Sequence, residues 1–166
     1  MLSGAAWLVA LLGVAASAVP GEVLTSKDGV LLPSSEASAF LHQCSRSSPQ
    51  GFQGTWTPGE AVLRELEARL PAALHAEWQR HSDRFRKYAA RPTVRQYAGM
   101  VLHGRNIIYV NALPRSMVAN PALPLPYTPD WRNKADVVCD GGPVFFGVEY
   151  DPVSKTFSHF AFNGPV

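Results

Sequence analysis

Charged side chains are scarce in this 166-residue sequence: they make up 17% of it, with 15 Lys and Arg against 13 Asp and Glu, whereas a globular domain typically has about 25%. A formal net charge of +2 is too small for a dedicated nucleic-acid-binding protein, and the cations are spread along the chain rather than gathered in a tail. Hydrophobic residues make up 46%, which excludes intrinsic disorder. The composition therefore predicts one ordinary globular domain.

The sequence also lacks the motifs of well-known chemistry: it has no HExxH pair, no GxSxG elbow, no Walker loop and no dinucleotide fingerprint. Asp136 and Asp140 would lie about 13 Å apart along a strand, so they suggest neither a glycosidase pair nor a metal site. The histidines stand at spacings that predict no zinc site: His42, His75, His81, His103 and His159. We predict no cofactor, no metal and no catalytic residue.

The N-terminus is an uncharged apolar run. Residues 2–18 read LSGAAWLVALLGVAASA and end on Ala16-Ser17-Ala18, the small-x-small pattern that signal peptidase accepts. The apolar centre is shorter than the ~20 residues that cross a bilayer. We predict a signal peptide over residues 1–18, although it lacks the usual initial Lys or Arg. The abundance of Ala and of Arg over Lys is typical of GC-rich bacteria, so we expect a periplasmic or secreted protein without a membrane span after cleavage.

Only two cysteines are present, and an even count in an exported chain favours a disulfide. The pairing is then Cys44 with Cys139. The alternative is a reactive Cys139 with His103 or His159 as its base. Asp140 argues against it, because a neighbouring carboxylate raises the pKa of a thiol.

One helix has clear start signals. The sequence Thr-Pro-Gly-Glu at 57–60 predicts a capping box, with Thr57 as the cap and Pro58 at the first helical position. Pro71 predicts a kink or a restart, with the helix continuing to about His81. An apolar stripe at helical spacing follows the cap: Val62, Leu63, Leu66 and Leu70.

Two hairpins are predicted after that helix. Residues 95–102 alternate and pair with 106–112, and a second unit runs from 136–140 through 144–150 to 156–163. We therefore predict an α+β fold of two layers, with the helix packed on an antiparallel sheet of four to five strands. The other sheet face would be solvated or covered by a partner.

The domain boundaries follow from the same pattern. Residues 1–18 are the signal peptide, residues 19–54 form an N-terminal arm and loop with a short helix near 35–43, and residues 55–166 form the α+β domain. The Pro-rich stretch 113–131 is predicted to contain neither helix nor central strand.

Three segments are candidates for contact with a ligand or partner. Asp140, Gly141 and Gly142 lie in a segment whose glycines could present backbone amides, but we favour a bulge or tight bend, which explains them without a ligand.

A basic stretch, Arg80 to Arg95, includes Arg84 and Arg86 and would suit an acidic partner, or it is simply a solvated helix end. The long Pro-rich connection carries Tyr127 and Trp131 as candidate anchors, or it is equally well a mere insertion.

Six segments resemble a group of small exported bacterial proteins of uncharacterised function, and the resemblance extends from Cys44 to the C-terminus. It implies export and a shared architecture but no catalytic or binding residue. The segments are WTP at 56–58, RQYAG at 95–99, IYVNA at 108–112, CDGG at 139–142, FGVEYD at 146–151 and FAFNG at 160–164.

The leading hypothesis is an exported small binding protein of the inhibitor or immunity type, which contacts another envelope or secreted protein through an open sheet face or through the 113–131 loop. One alternative is a small cysteine-dependent enzyme that uses Cys139. Another is a structural envelope component or a small-ligand carrier, which a cavity between helix and sheet would favour. The sequence does not predict an oligomeric state.

Overall fold

The computed structural model describes residues 28–118 and 130–164. The predicted signal peptide, residue Tyr127 and most of the Pro-rich stretch lie outside these ranges. The strands are β1 (Gly29–Leu31), β2 (Phe52–Thr55), β3 (Thr93–Leu102), β4 (Arg105–Pro114), β5 (Phe146–Asp151) and β6 (Thr156–Phe162). The helices are a 3-10 helix (Ser34–Leu41), α1 (Glu60–Trp78), α2 (Asp83–Ala89) and α3 (Arg115–Val118).

The strands form one six-stranded sheet in the order β1-β3-β4-β5-β6, with β2 also paired to β3. Both predicted hairpins are present, as β3/β4 and β5/β6, and every pairing but one is antiparallel. The exception is β1, which pairs in parallel with β3. The prediction of an α+β fold is therefore confirmed, but the purely antiparallel sheet of two hairpins is wrong, because the N-terminal arm supplies an additional parallel strand.

Helix α1 differs from the prediction at its start and continues through its proline. It begins at Glu60 after Gly59, without a side-chain cap from Thr57. It runs past Pro71 to Trp78 with no restart. The proline removes one backbone hydrogen bond, a loss that the packing of the apolar face outweighs. The buried residues of α1 are one leucine row: Leu63, Leu66, Leu70 and Leu74.

The leucine row of α1 covers one face of the sheet. Ile108, Val110, Phe146 and Val148 meet it from the two central strands. Alternate residues of β4 point to opposite faces, and Ile107, Tyr109 and Leu113 therefore belong to a second core.

That second core corrects the expectation of an open or partner-covered sheet face. Phe40 from the 3-10 helix, Trp131 from the end of the Pro-rich stretch and Phe145, directly before β5, bury the face opposite α1. The chain thus covers both faces of its own sheet, which is why the last eight residues of β4, 107–114, are all buried.

The segment 136–140 is not the strand that its sequence predicts. Its backbone bonds to two buried side-chain amides instead of a neighbouring strand: the Asp136 N–H donates to Gln96 Oε1 at 3.0 Å, and the Asp136 carbonyl accepts from Asn111 Nδ2 at 2.9 Å. Gln96 Nε2 also donates to the Trp131 carbonyl at 2.5 Å. Buried backbone groups need a partner, and here side chains supply it.

The start of the Pro-rich stretch also departs from the prediction. Leu113 and Pro114 end the central strand β4, and residues 115–118 form the short helix α3. Pro114 is tolerated because it is the last residue of its strand, where a missing N–H costs little.

Candidate functional site

The predicted disulfide is present: Cys44 and Cys139 are bonded, with their Cα atoms 5.3 Å apart. Both cysteines lie at the exposed surface. A nucleophilic Cys139 needs a free thiolate, and its sulfur is occupied by the bond to Cys44. Neither His103 nor His159 therefore has a thiol at this position to activate.

The residues after Cys139 form a left-handed turn. Asp140, Gly141 and Gly142 have φ angles of 69°, 87° and 78°, a backbone conformation that favours glycine. A Cβ at Gly141 would also lie 2.4 Å from the Phe145 ring. The structural interpretation of these glycines as a tight bend is thus correct, and a substitution at Gly141 would be strained on both counts.

The turn is held in place by the C-terminal end of the chain. The Gly142 N–H donates to the Gly164 carbonyl at 2.9 Å. Asn163 Nδ2 donates to the carbonyls of Val138 and Asp140, both at 2.7 Å. These bonds fix the Gly141-Gly142 backbone at the surface next to the end of β6.

Helix α2 brings aromatic rings to the same place. Ser82 caps the helix, with its Oγ accepting from the Phe85 N–H at 3.3 Å, and this cap orients the first turn. The His81 ring stacks on Phe85 with centroids 4.0 Å apart, and Phe85 meets Phe162 of β6 edge-on at 4.8 Å. Such geometries are favourable for aromatic pairs.

A cleft of about 770 Å³ opens between α2 and the glycine turn, and we call it the aromatic cleft. One wall comes from the segment 81–88 and the other from the segments 141–143 and 162–163. Its volume falls in the range of about 300–1,000 Å³ that is typical of ligand pockets. Its lining residues are His81, Ser82, Arg84, Phe85, Tyr88, Gly141, Gly142, Pro143, Phe162 and Asn163.

The aromatic cleft unites two of the candidate segments that the sequence suggested separately. Gly141 and Gly142 form part of one wall, and Arg84 lies on the other. Asp140 adjoins the cleft through its backbone carbonyl, which Asn163 holds.

Three of the six Lys and Arg side chains in the basic stretch pair with carboxylates within the fold. Arg80 pairs with Glu77, Arg86 with Asp83 and Arg95 with Glu67. Arg86 is thereby directed toward the start of its own helix rather than into the cleft. Among the described residues, Arg84 and Lys87 have no carboxylate partner within ion-pair distance, and Arg91 lies over the Tyr88 ring at 4.8 Å. The net positive charge beside the cleft therefore comes from a few exposed cations.

The remaining candidates lie elsewhere or outside the described residues. Trp131 is only 7% exposed and belongs to the second core, so its side chain supports the sheet rather than offering an exposed anchor. Tyr127 lies outside the described ranges.

Sequence reasoning missed the aromatic residues of the cleft: Phe85, Tyr88 and Phe162. Phe85 and Tyr88 are three residues apart, which places them on one helix face, and this spacing among cations is a signal in the sequence. Tyr88 is 41% exposed and lines the cleft, with Arg91 over its ring. The contribution of Phe162 depends on tertiary contact alone.

The imidazole in the lining of the aromatic cleft is that of His81, which stacks on Phe85 and lies 3.4 Å from Glu77. The Ser82 hydroxyl next to it accepts from the Phe85 N–H as the helix cap. In residues 28–118 and 130–164, no three His, Cys, Asp or Glu side chains are grouped closely enough to hold a metal ion.

No helix in the described part of the chain is long and apolar enough to span a membrane. The sequence matches no protein-family model, no curated protein and no solved structure.

Proposed function

We propose that this protein is an exported small binding protein of the inhibitor or immunity type, and that it contacts a partner protein through the aromatic cleft. The observation that carries the proposal is the convergence of aromatic rings, an arginine without a carboxylate partner among the described residues, and a rigid glycine turn around one cleft of about 770 Å³. Buried aromatic anchors in a central pocket dominate the binding energy of protein interfaces.

Export of a bacterial chain rests on two independent features. The apolar run over residues 1–18 ends in a signal-peptidase pattern. The Cys44–Cys139 bond spans 95 residues at the protein surface, and bonds of this kind persist in oxidising compartments such as the periplasm. An envelope or secreted protein is therefore the expected partner.

The lining of the cleft indicates the chemistry of the partner segment. The rings of Phe85 and Phe162 favour an apolar or aromatic side chain as the anchor. Arg84, which lines the cleft and has no acidic partner among the described residues, favours Asp or Glu beside that anchor. The expected epitope is thus an aromatic residue flanked by acids.

A small-ligand carrier is the second candidate, and the cleft volume is the observation that favours it. A volume of about 770 Å³ also suits an organic molecule with an apolar ring and an anionic group. Native mass spectrometry of the protein isolated from an exporting host separates the two: a stoichiometric adduct that is lost on Phe85→Ala indicates a carrier.

The experiment that tests the protein-contact proposal uses a random peptide library displayed on phage, panned against the disulfide-bonded protein. Enriched peptides are expected to share an aromatic residue next to acids. Arg84→Glu should weaken their binding by about fivefold or more, the equivalent of one exposed charge pair. Tyr88→Ala should weaken it by about tenfold, as expected for an aromatic contact at an interface.

Arg64→Glu is the matched control, because Arg64 is exposed on α1 and, within the described ranges, its one carboxylate partner is Glu60. It should leave peptide binding unchanged. Peptides that bind Arg84→Glu and wild-type protein equally, or peptides without any acidic or aromatic signature, would refute the proposal.

A further inference from the structure

The two edges of the sheet differ in how they are protected. One edge consists of β1 and β2, which have three and four residues, and short strands leave little backbone open to another chain. The other edge is β6, which has seven residues and pairs only with β5 among the described strands. Its sequence, TFSHFAF at 156–162, contains no Pro, Lys, Arg, Asp or Glu, the residues that commonly protect an edge. None of its residues is fully buried, so β6 is the edge that is open to an added strand.

The backbone of Phe162 points to this open edge. The Asn163 N–H donates to the Phe145 carbonyl at 3.0 Å, and Phe162 pairs with Phe146. Because hydrogen-bonded and non-hydrogen-bonded pairs alternate along an antiparallel ladder, the N–H and the carbonyl of Phe162 face away from β5. No other described residue bonds to either group. The edge at Phe162 thus offers one donor and one acceptor to an added strand.

A β-bulge places three phenylalanines of β6 on one side of the sheet. Side chains of a regular strand alternate, so Phe157 and Phe160, which are three residues apart, would point to opposite faces. The β5/β6 register shifts between Gly147 and Glu149, where β6 has one additional residue, and the alternation shifts with it. Phe157, Phe160 and Phe162 therefore all pack against the core under α1, and each stays partly exposed.

Two clefts follow this row of rings along β6. The first lies between α1 and residues 156–160, and the second is the aromatic cleft, which includes Phe162. The rings of Phe160 and Phe162 are nearly parallel with centroids 6.5 Å apart, and Phe162 meets Phe85 at 4.8 Å. We call the two clefts together the β6 groove. It follows the seven residues of β6, about 23 Å at the strand rise of ~3.3 Å per residue, which suits an extended segment.

Helix α1 leaves room beside the open edge. Its residues in the lining of the first cleft are Ala73, Ala76, Glu77 and Arg80. The alanines are small, and the two charged side chains pair with each other at 2.8 Å, so this wall has no net charge. At the α2 end of the groove, Arg84 has no carboxylate partner among the described residues, which favours an acidic residue in the bound segment.

From this geometry we propose that the partner segment binds the β6 groove in an extended conformation and adds a strand to the sheet next to β6. The inference rests on the proposed function, since the aromatic anchor of the segment occupies the aromatic cleft. Main-chain hydrogen bonds to the edge supply affinity, and alternate side chains fill the groove. A second copy of this chain fits less well, because its β6 brings its own α2 and glycine turn, and the edge at Phe162 lies between these two walls.

The test uses a synthetic peptide enriched in the panning described above and the isotope-labelled, disulfide-bonded protein. Amide hydrogen exchange is followed by NMR with and without saturating peptide. Exchange at the Phe162 amide should slow by about tenfold or more, because this N–H gains a partner. The Asn163 amide is the internal control: its bond to the Phe145 carbonyl is present without peptide, so its exchange should change much less.

Backbone methylation of the peptide tests the same bonds from the other side. Each peptide N–H is replaced in turn by N–CH3. Methylation at every second residue of the paired stretch should weaken binding by about tenfold, the equivalent of one hydrogen bond. Methylation at the residues between them should have little effect, because their N–H groups point away from β6.

A variant of α1 tests whether the segment extends beyond the aromatic cleft. Ala76→Gln narrows the first cleft at an exposed helix position and should weaken peptide binding by about fivefold. Ala72→Gln is the matched control, because Ala72 is exposed on the same helix and lies outside the lining. It should leave binding unchanged.

The outcomes separate the added strand from the proposed function. Peptides that depend on Arg84 and Tyr88 but leave exchange at the Phe162 amide unchanged, or that show no alternation on N-methylation, overturn the added strand and keep the aromatic cleft as the contact site. If no peptide is enriched, both proposals are overturned. A protein that dimerises by itself with its Phe162 amide protected also overturns the added strand, because a second copy then occupies the edge.

Discussion

The two faces of the sheet are built by different physical means. The face under α1 is covered by a single regular element whose leucines recur at helical spacing. The opposite face is covered by a 3-10 helix and by irregular chain. Side-chain amides and one disulfide hold the irregular chain, so the first face depends mainly on apolar burial and the second on specific polar and covalent links.

The two faces also differ in what they contribute: one forms the scaffold, and the other supplies part of the candidate site. The aromatic cleft takes one wall from the glycine turn, which belongs to the irregular side and follows directly after Cys139. Irregular segments that are fixed by a few specific links commonly carry binding residues on a rigid scaffold. The regular face, in this molecule, supplies the stability on which that arrangement rests.

The largest expected effect comes from cutting the covalent link of the irregular face. The double variant Cys44→Ala/Cys139→Ala should lose about 4 kcal/mol of unfolding free energy, because the bond closes a loop of 95 residues. Denaturant unfolding measures this loss. Hydrogen exchange should accelerate most around Gly142 and Asn163 and least in α1, and uniform acceleration would refute the distinction between the two faces.

A cavity under α1 is the next largest perturbation. Leu66 is fully buried in the leucine row, and Leu66→Ala should lower the unfolding free energy by about 3 kcal/mol through lost burial and an unfilled cavity. Leu66→Met, which keeps the volume, should cost less than about 1.5 kcal/mol. Equal losses for the two variants in denaturant titrations would show that apolar packing does not hold this face.

The side-chain amide hydrogen bonds of the irregular face should contribute less to the unfolding free energy. Gln96→Leu keeps the size of the side chain but leaves the Trp131 and Lys134 carbonyls without their donor. The expected loss is about 2 kcal/mol, the cost of leaving buried polar groups unpaired. The control is Gln79→Leu on the exposed end of α1, which should change stability little, and exchange of the Asp136 amide reports the local effect.

The smallest expected difference in stability is between variants of two buried tyrosines, Tyr97 on the face under α1 and Tyr109 on the opposite face. Tyr97 donates to Glu67 and accepts from Arg95 at 3.3 Å, so Tyr97→Phe should cost about 1 kcal/mol. The Tyr109 hydroxyl lies beside the Arg46 guanidinium but meets no described residue in full hydrogen-bond geometry, so Tyr109→Phe should cost less than Tyr97→Phe. Thermal unfolding of the two variants side by side measures the difference, and equal losses would contradict it.

The same tyrosines predict an alkaline dependence of stability. Burial raises the pKa of Tyr97 and of Tyr109 above the ordinary value, and the nearby Glu67 raises that of Tyr97 further. Both hydroxyls therefore stay neutral in the folded protein while the unfolded chain ionises above pH ~10. Unfolding free energy should be unaffected by them below that pH and fall above it, and Tyr97→Phe should make the fall shallower in urea titrations across pH 8 to 11.

The sequence analysis succeeded where a periodic pattern coincided with a regular element. The leucines from Leu63 to Leu70 predicted α1, and the alternation on both sides of His103-Gly104 predicted the β3/β4 hairpin. It failed where a tertiary partner replaced the usual one. Residues 136–140 look like a strand, but their backbone groups are bonded by Gln96 and Asn111, side chains that lie far away in the sequence.

The candidate site was predicted only in its parts. Arg84 and the Gly141-Gly142 pair were candidates on composition and backbone freedom, yet nothing in the sequence indicated that they line one cleft. The covering of the second sheet face could not be predicted from the sequence either, because the 3-10 helix and the connection that bury this face carry no periodic pattern.

By itself, the sequence determined what local physics dictates: the α+β class, the main helix, the two hairpins and a disulfide that only one pair of cysteines could form. Tertiary structure alone decided the parallel strand β1, the covering of both sheet faces and the joining of α2 to the glycine turn. Periodicity and turn chemistry act between near neighbours, whereas these features depend on which distant groups satisfy one another's burial and hydrogen bonds.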